Sequence, residues 1–216
     1  MTISAAITAY WDAAAPRFDD EPDHGLRDAA TRSAWDRLLG RLVPATGGDV
    51  VDLGCGTGTL AELLASRGHR LTGVDLAPRM VERARAKLAA AGLTGTFLVG
   101  DAAAPPVAAG AYDVVVARHL LWTLPDPHAA LRRWVTLLRP GGTLVLVEGR
   151  WRESGSGAPY VPGAQSLPWS GGVGAADLVA AVRPLVGEVR TKDLSGEAAL
   201  WGRPVDDERY ALVAHV

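Results

Sequence analysis

Three glycines at alternate positions, Gly54, Gly56 and Gly58, close the run Val50-Val51-Asp52-Leu53-Gly54-Cys55-Gly56-Thr57-Gly58, with Asp52 two places ahead of the first. Glycine reaches positive φ and carries no Cβ, so this backbone can bend tightly and admit a ligand at close range. Helical spacing in Thr59-Leu60-Ala61-Glu62-Leu63-Leu64-Ala65 completes a strand, a glycine turn and a helix, the order of a nucleotide-cofactor loop. Asp75 follows about twenty residues later, at the end of a second strand-like run, where a carboxylate can engage both hydroxyls of a ribose. The spacing G-x-G-x-G departs from the dinucleotide form G-x-G-x-x-G, whose second glycine clears a pyrophosphate and whose third allows close helix packing. Arg118-His119 ends a later apolar run, and histidine has the ordinary pKa best placed to take a proton near neutrality.

The elements that must position these residues alternate along the chain. Strand-like runs occur at Leu71–Val74, Phe97–Val99, Tyr112–Ala117 and Thr143–Val147, and the spacing predicts helices over 57–67, 78–91 and 126–139. Pro78 suits a helix start, where its missing N–H costs nothing, and Gly68 and Gly92 fall where C-caps belong. Such alternation implies right-handed crossovers and a parallel sheet. Ligands of open α/β sheets lie beyond the carboxyl ends of the strands, so the glycine loop, Asp75, Asp101, Arg118-His119 and Glu148-Gly149 are expected to converge on one cleft.

Residues before about 48 carry helical spacing instead, over Ala5 to Ala14 and Leu26 to Leu42, broken by Pro16, Pro22 and Gly25. Residues 151–172 are dense in Ser, Gly and Pro and read as an insertion or lid; a helix at Ala175–Val182 and strands near 187–194 and 208–215 follow. The 216 residues suffice for one α/β domain and are too few for two of full size. Its parts are a helical cap (1–47), a cofactor core (48–150), the loop or lid (151–172) and a C-terminal helix with strands (173–216).

The motif Asp-Leu-Gly-Cys-Gly-Thr-Gly, the strand ending in Gly100-Asp101-Ala102, and the turn Leu138-Arg139-Pro140-Gly141-Gly142 before a strand resemble the class I S-adenosylmethionine (SAM)-dependent methyltransferases, over roughly residues 49 to 150. The resemblance implies a Rossmann-like, seven-stranded, mainly parallel sheet with helices on both faces, an antiparallel final strand and an N-terminal helical cap. It implies SAM as cofactor, S-adenosylhomocysteine as product, and cofactor contacts from Asp52, Gly54, Cys55, Gly56, Gly58, Asp75, Leu76, Met80, Asp101, Ala102 and Arg118. The cap's Tyr10-Trp11-Asp12 resembles a helix that lies across the pocket in small-molecule members, which brings Tyr10 to the cofactor and Trp11 and Phe18 to the acceptor. The same aromatics equally fit the core face of a helix.

Candidates for catalysis are His119, as base or orienter, with Arg118 and His24 beside it; His119 equally fits a cofactor contact, and Glu148, counted with the acceptor-side residues, could orient Arg118 or His119. Seven tryptophans against two phenylalanines point to aromatic walls, with Trp122, Trp151 and Trp169 at the cleft and Trp35 and Trp134 in the core. A flat aromatic or heterocyclic acceptor suits such walls, and so does a cationic one.

Composition narrows the partners. A net charge of −2 lacks the basic footprint of a nucleic-acid binder, so a small-molecule acceptor is favoured. No apolar run approaches the ~20 residues of a membrane span. The single cysteine, Cys55, leaves no intramolecular disulfide and no cysteine-based metal cluster, in keeping with a cytoplasmic protein, monomer or homodimer. No metal is expected, because the acidic ligands of the catechol-type enzymes are replaced after the fourth strand by Ala117-Arg118-His119-Leu120. The Asn/Asp-Pro-Pro-Tyr motif of amino-methylating DNA enzymes is missing there too. The leading expectation is a bacterial enzyme, of secondary metabolism by what the resemblance implies, that methylates nitrogen or oxygen, less readily carbon, of a small metabolite. A SAM-binding module without catalysis and an NAD-dependent oxidoreductase are the alternatives.

Overall fold

A computed structural model describes residues 2–43, 47–151 and 159–216. Seven strands form one sheet: β1 (Asp49–Leu53), β2 (Arg70–Asp75), β3 (Thr96–Val99), β4 (Tyr112–Arg118), β5 (Leu138–Arg150), β6 (Glu188–Asp193) and β7 (Glu208–His215), in the order β3-β2-β1-β4-β5-β7-β6. The first five are mutually parallel and β7 runs antiparallel to both its neighbours. Strand order reverses between β1 and β4, so a crevice opens beyond their carboxyl ends.

The two-residue period of a strand splits the core into two layers. Val50 of β1, Val114 and Val116 of β4, and Val145 and Val147 of β5 face one side with α3 (Ala29–Leu42), α4 (Thr59–Ser66) and α5 (Pro78–Ala90). Val51, Leu53, Val115, Ala117, Leu144 and Leu146 face the other, with α6 (Pro127–Val135) and α7 (Ala175–Val182). Both sides of the central strands are therefore covered, which is why their sequences are continuously apolar. Trp35 and Trp134 are buried in these layers as expected, their indole N–H groups bonded to the carbonyls of Leu200 and Ala102.

The cap consists of α1 (Ile3–Ala14), a 3-10 turn (Ala15–Asp20), the single turn α2 (Pro22–Gly25) and α3. Asp28 accepts from Thr31 N and starts α3 three residues after the apolar run begins, because Leu26 takes a left-handed φ of 50°. Residues 22–25, around His24, close a single helical turn. The third expected crossover helix ends at Val135 rather than 139, since Leu138 already pairs with Tyr112 before a register shift in the β4–β5 ladder. A four-residue helix α8 (Ala198–Trp201) was not marked by any periodicity.

Of the expected lid, residues 152–158 lie outside the described residues. Its remainder packs Val161, Ala164 and Leu167 against Ala6 and Ile7 of α1. No described helix is long and apolar enough to cross a membrane.

Candidate active site

A cavity of about 270 Å³ opens at the carboxyl ends of β1 and β4, roofed by the cap. The glycine loop forms one wall. Gly54, Gly56 and Gly58 hold φ of 68°, 52° and 80°, the left-handed region that disfavours other residues. A Cβ at Gly56 would meet nothing nearer than the Phe18 ring, at 3.4 Å, so the loop backbone is bare toward the cavity. At Gly58 a Cβ would stand 2.8 Å from that of Ala84, and glycine there lets α4 and α5 close together.

Carboxylates surround this loop in three distinct states. Asp52 lines the cavity with Oδ2 buried and without a partner among the described residues, and burial, aided by the nearby Asp75 and opposed by Arg118, lifts its pKa to about 7. Asp75, also raised by burial, accepts from Gly56 N through Oδ2 and from Ala77 N through Oδ1, both at 2.9 Å. The strand end thus fastens the turn and keeps a lone pair on each oxygen. Asp101 is exposed at the cavity edge, and its Oδ1 takes Ala103 N. Leu76, Met80 and Ala102 supply apolar lining between these acids.

Cys55 is buried within the loop and burial pushes its thiol up, which leaves it a packing residue.

Arg118 and His119 enter from the end of β4. The Arg118 guanidinium lies 4.8 Å over the Trp35 ring and donates to the carbonyl of Asp23. His119 is held with φ of 53°, a conformation rare outside glycine and asparagine. Each backbone group around it is committed: its N–H to Val147 O, its carbonyl to Trp122 Nε1, and the next two N–H groups, of Leu120 and Leu121, to Glu148 Oε1 at 2.9 and 3.0 Å. Glu148 is fully buried, with Oε2 unpartnered and its pKa raised to about 7 by burial despite those two donors.

No ring nitrogen of His119 has a hydrogen-bond partner among the described residues, and Nε2 is sealed from solvent. Burial first, then the charges of Arg118 and Arg209, hold the imidazole well below its ordinary pKa, so it is neutral at pH 7. His24 also lines the cavity, stacked on Phe18 with ring centroids 4.3 Å apart, and burial and Arg118 lower its pKa in turn.

Aromatic rings enclose the remaining side. Trp11, Trp122, Trp151 and Phe18 line the cavity, with Trp11 and Trp122 edge to face at 6.3 Å. Tyr160 fills the angle between them, 4.8 Å from Trp122 and 5.9 Å from Trp11.

Three expected placements are corrected. Tyr10 sits on the outer face of α1, 40% exposed and packed on Trp11 and Tyr160 rather than in the cavity, because adjacent helical positions point about 100° apart. Trp169 packs against His128 and the α6–α7 layer, carried away by the chain's return to β5 through the Arg150–Gly172 bridge. Glu148 reaches neither the Arg118 nor the His119 side chain and grips backbone instead. Sequence reasoning passed over Asp19, Lys87, Trp201 and Arg209, all of which touch the site or its walls. No local signal in the sequence marks any of the four.

A family model described as a methyltransferase domain matches residues 51–146. The ubiquinone biosynthesis O-methyltransferase of Xanthomonas axonopodis pv. citri (strain 306) is 36% identical over 146 residues, covering 66% of this chain and 57% of that protein. The chain thus spans little more than half the length of the curated relatives it matches. Among solved structures, the N-methyltransferase NodS of Bradyrhizobium japonicum WM9, in complex with S-adenosylhomocysteine, superposes with a TM-score of 0.69 at 21% identity over 95% of this chain and 98% of that one. Magnesium protoporphyrin IX methyltransferase (ChlM) of Synechocystis PCC 6803 with bound SAM gives 0.70 at 19% identity over 100% and 97%. These two likenesses speak for the fold alone. The methyltransferase-domain match spans less than half of the chain; together with the glycine loop, the seven-stranded order and the switch-point cavity, it makes the chain similar to the class I S-adenosylmethionine-dependent methyltransferases.

Proposed function

We propose that this protein transfers a methyl group from SAM to the oxygen of an aromatic hydroxyl on a small metabolite, without a metal. The observation that carries the reading is the neutral, hydrogen-bond-free imidazole of His119 set in a wall of indoles.

The residues fit the cofactor. Asp75 would take the ribose hydroxyls on its two remaining lone pairs, and Asp101 the adenine amino group, with Leu76 and Ala102 against the ring. The buried Oδ2 of Asp52, lacking a partner, would receive the ammonium of the amino-acid end. Arg118, with one bond to Asp23 O, retains donors for the carboxylate. When bound, SAM supplies a methyl group on a positively charged sulfur, ready for in-line displacement.

Positioning is the larger part of the protein's task, and it can contribute up to roughly 7–11 kcal/mol. Trp11, Trp122 and Trp151 would hold a flat ring by its faces. As the acceptor oxygen takes the methyl group, its proton passes to the His119 imidazole, which the surrounding burial keeps unprotonated beforehand. The O-methyltransferase relatives support oxygen as the acceptor atom; nitrogen is the second reading, favoured by the same indoles' attraction for cations.

The test is a turnover screen with SAM on phenols, catechol monoethers and aryl amines, read by mass spectrometry. Methyl ethers of the hydroxylic acceptors are expected. Turnover confined to amines would transfer the reading to nitrogen, and SAH binding without turnover on any acceptor would leave a binding module.

A further inference from the structure

The cap is joined to the glycine loop by a half-buried ionic network that the methyl-transfer chemistry does not use. Thr57, between Gly56 and Gly58, donates its hydroxyl to Asp19 Oδ1 at 2.5 Å. The other Asp19 oxygen lies 2.9 Å from Lys87 Nζ of α5, which also donates to the hydroxyls of Thr57 and Thr59 at 3.1 and 2.6 Å. Side-chain exposure is 13% for Asp19 and 19% for Lys87, and both threonines are buried. Burial alone would raise the Asp19 carboxyl, but the bonds from Thr57 and Lys87 outweigh it and hold it below its ordinary value, ionised.

A buried ion pair is weak evidence for stability, since apolar residues of similar volume often serve the fold as well or better; its best-attested use is to fix one arrangement over others. Here the arrangement fixed is that of the cofactor loop. Asp19 has no direct place in the cavity lining, yet its neighbour Phe18 covers Gly56 and His24 stacks on Phe18. When Asp19 engages Thr57, the cap roof and the left-handed turn at Gly56–Gly58 are set together.

We propose that Asp19 is a positioning residue for the cofactor: through Thr57 and Lys87 it makes docking of residues 15–24 and formation of the cofactor-ready loop a single equilibrium. The inference rests on the reading of this loop as the SAM site. Cofactor binding then closes the roof, and an undocked cap leaves the loop unset. Replacing Asp19 by Asn removes the charge that answers Lys87 while keeping the size.

The experiment is titration calorimetry with S-adenosylhomocysteine on the full chain, wild type against Asp19→Asn, Thr57→Val and the double variant. Wild type binds; Asp19→Asn is expected to bind roughly 10- to 100-fold more weakly, as for loss of one partner of a buried charged pair. In turnover, KM for SAM rises while kcat at saturation stays within about threefold, and the double variant binds as Thr57→Val alone does, because the coupling is shared. Affinity within about twofold of wild type for Asp19→Asn, or full additivity with Thr57→Val, overturns the proposal. Hydrogen exchange on the wild-type chain needs no variant to fold: S-adenosylhomocysteine should protect amides of residues 15–24 and of the loop by equal factors. Protection of the loop alone overturns the proposal with the cofactor reading intact. A wild-type chain that binds no S-adenosylhomocysteine removes both.

Discussion

The imidazole of His119 lies face to face with the indole of Trp201, ring centroids 5.8 Å apart and planes inclined by 20°. Trp151 closes the next side edge-on, at 5.0 Å. Beyond both indoles sits Arg209, its guanidinium 4.8 Å over Trp201 and 5.1 Å over Trp151, tied also to Asp207. Two aromatic faces therefore park a cation close to a histidine. That proximity adds to burial and to Arg118 in keeping the ring uncharged.

This arrangement sets the pH dependence of turnover. Since the His119 pKa lies well below 6.5, the ring is unprotonated before neutrality, and under the proposed base role kcat/KM should rise with pH and level off at a pH lower than an ordinary histidine gives. Nitrogen-detected NMR of the labelled ring should show it neutral through pH 6.5. A midpoint at or above 6.5 would show that neither burial nor the cations govern it.

Removing the imidazole tests the base itself. His119→Asn is the suitable change, because asparagine tolerates the left-handed φ of 53° that alanine would resist. Expected is a loss of roughly 10²- to 10⁴-fold in kcat/KM, the usual contribution of a general base, with S-adenosylhomocysteine affinity held within about threefold. The opposite pattern, with weakened affinity and preserved kcat, makes His119 a cofactor contact.

Asp75 holds Gly56 N and Ala77 N and faces the cavity, which under the proposed reading gives it a ligand task beside the structural one. Asp75→Ala should weaken S-adenosylhomocysteine binding by about 2–3 kcal/mol, or roughly 30- to 150-fold, the scale of charge-assisted hydrogen bonds. Calorimetry measures it, and an unchanged Kd would remove the ribose contact.

Glu148→Gln addresses the buried carboxyl behind the His119 turn. The unfolded side chain titrates near 4.5 and the folded one near 7, so between those values the native state keeps a proton that the unfolded state loses. The stabilising contribution of Glu148 is therefore complete below 4.5 and lost as pH rises through about 7. Glutamine has no proton to lose, so across that window the variant should gain on wild type by on the order of 3 kcal/mol. Urea unfolding of both proteins at about pH 5 and about pH 8 reads the gap; a constant gap shows that Glu148 stays ionised throughout.

Gly58 carries two separable constraints, a φ of 80° and a Cβ site 2.8 Å from Ala84. Gly58→Ala should destabilise by roughly 2–4 kcal/mol through backbone strain and crowding together. Adding Ala84→Gly should restore only the crowding part in chemical denaturation. Complete restoration would mean that the left-handed backbone costs nothing there.

The order of the elements, both ends of the sheet, the glycine loop with Asp75 and Asp101, and the burial of Trp35 and Trp134 followed from the sequence, because local signals carry them: two- and four-residue periodicities, and glycine where φ must be positive. Even Ala175–Val182 and Glu208–His215 fall where their spacing puts them. Tertiary structure alone decided which side chains meet. Asp19 and Thr57 are 38 residues apart and His119 and Trp201 farther still, and packing of the cap and of α8 brings each pair together. It likewise sent Trp169 to another face, turned Tyr10 outward and aimed Glu148 at backbone amides. The reason is physical: periodicity tells which face of an element is buried, whereas contacts between elements depend on crossing geometry and on where water is excluded. That exclusion, with the charges of Arg118 and Arg209, keeps His119 neutral, and of these the local sequence Ala117-Arg118-His119-Leu120 carries only Arg118.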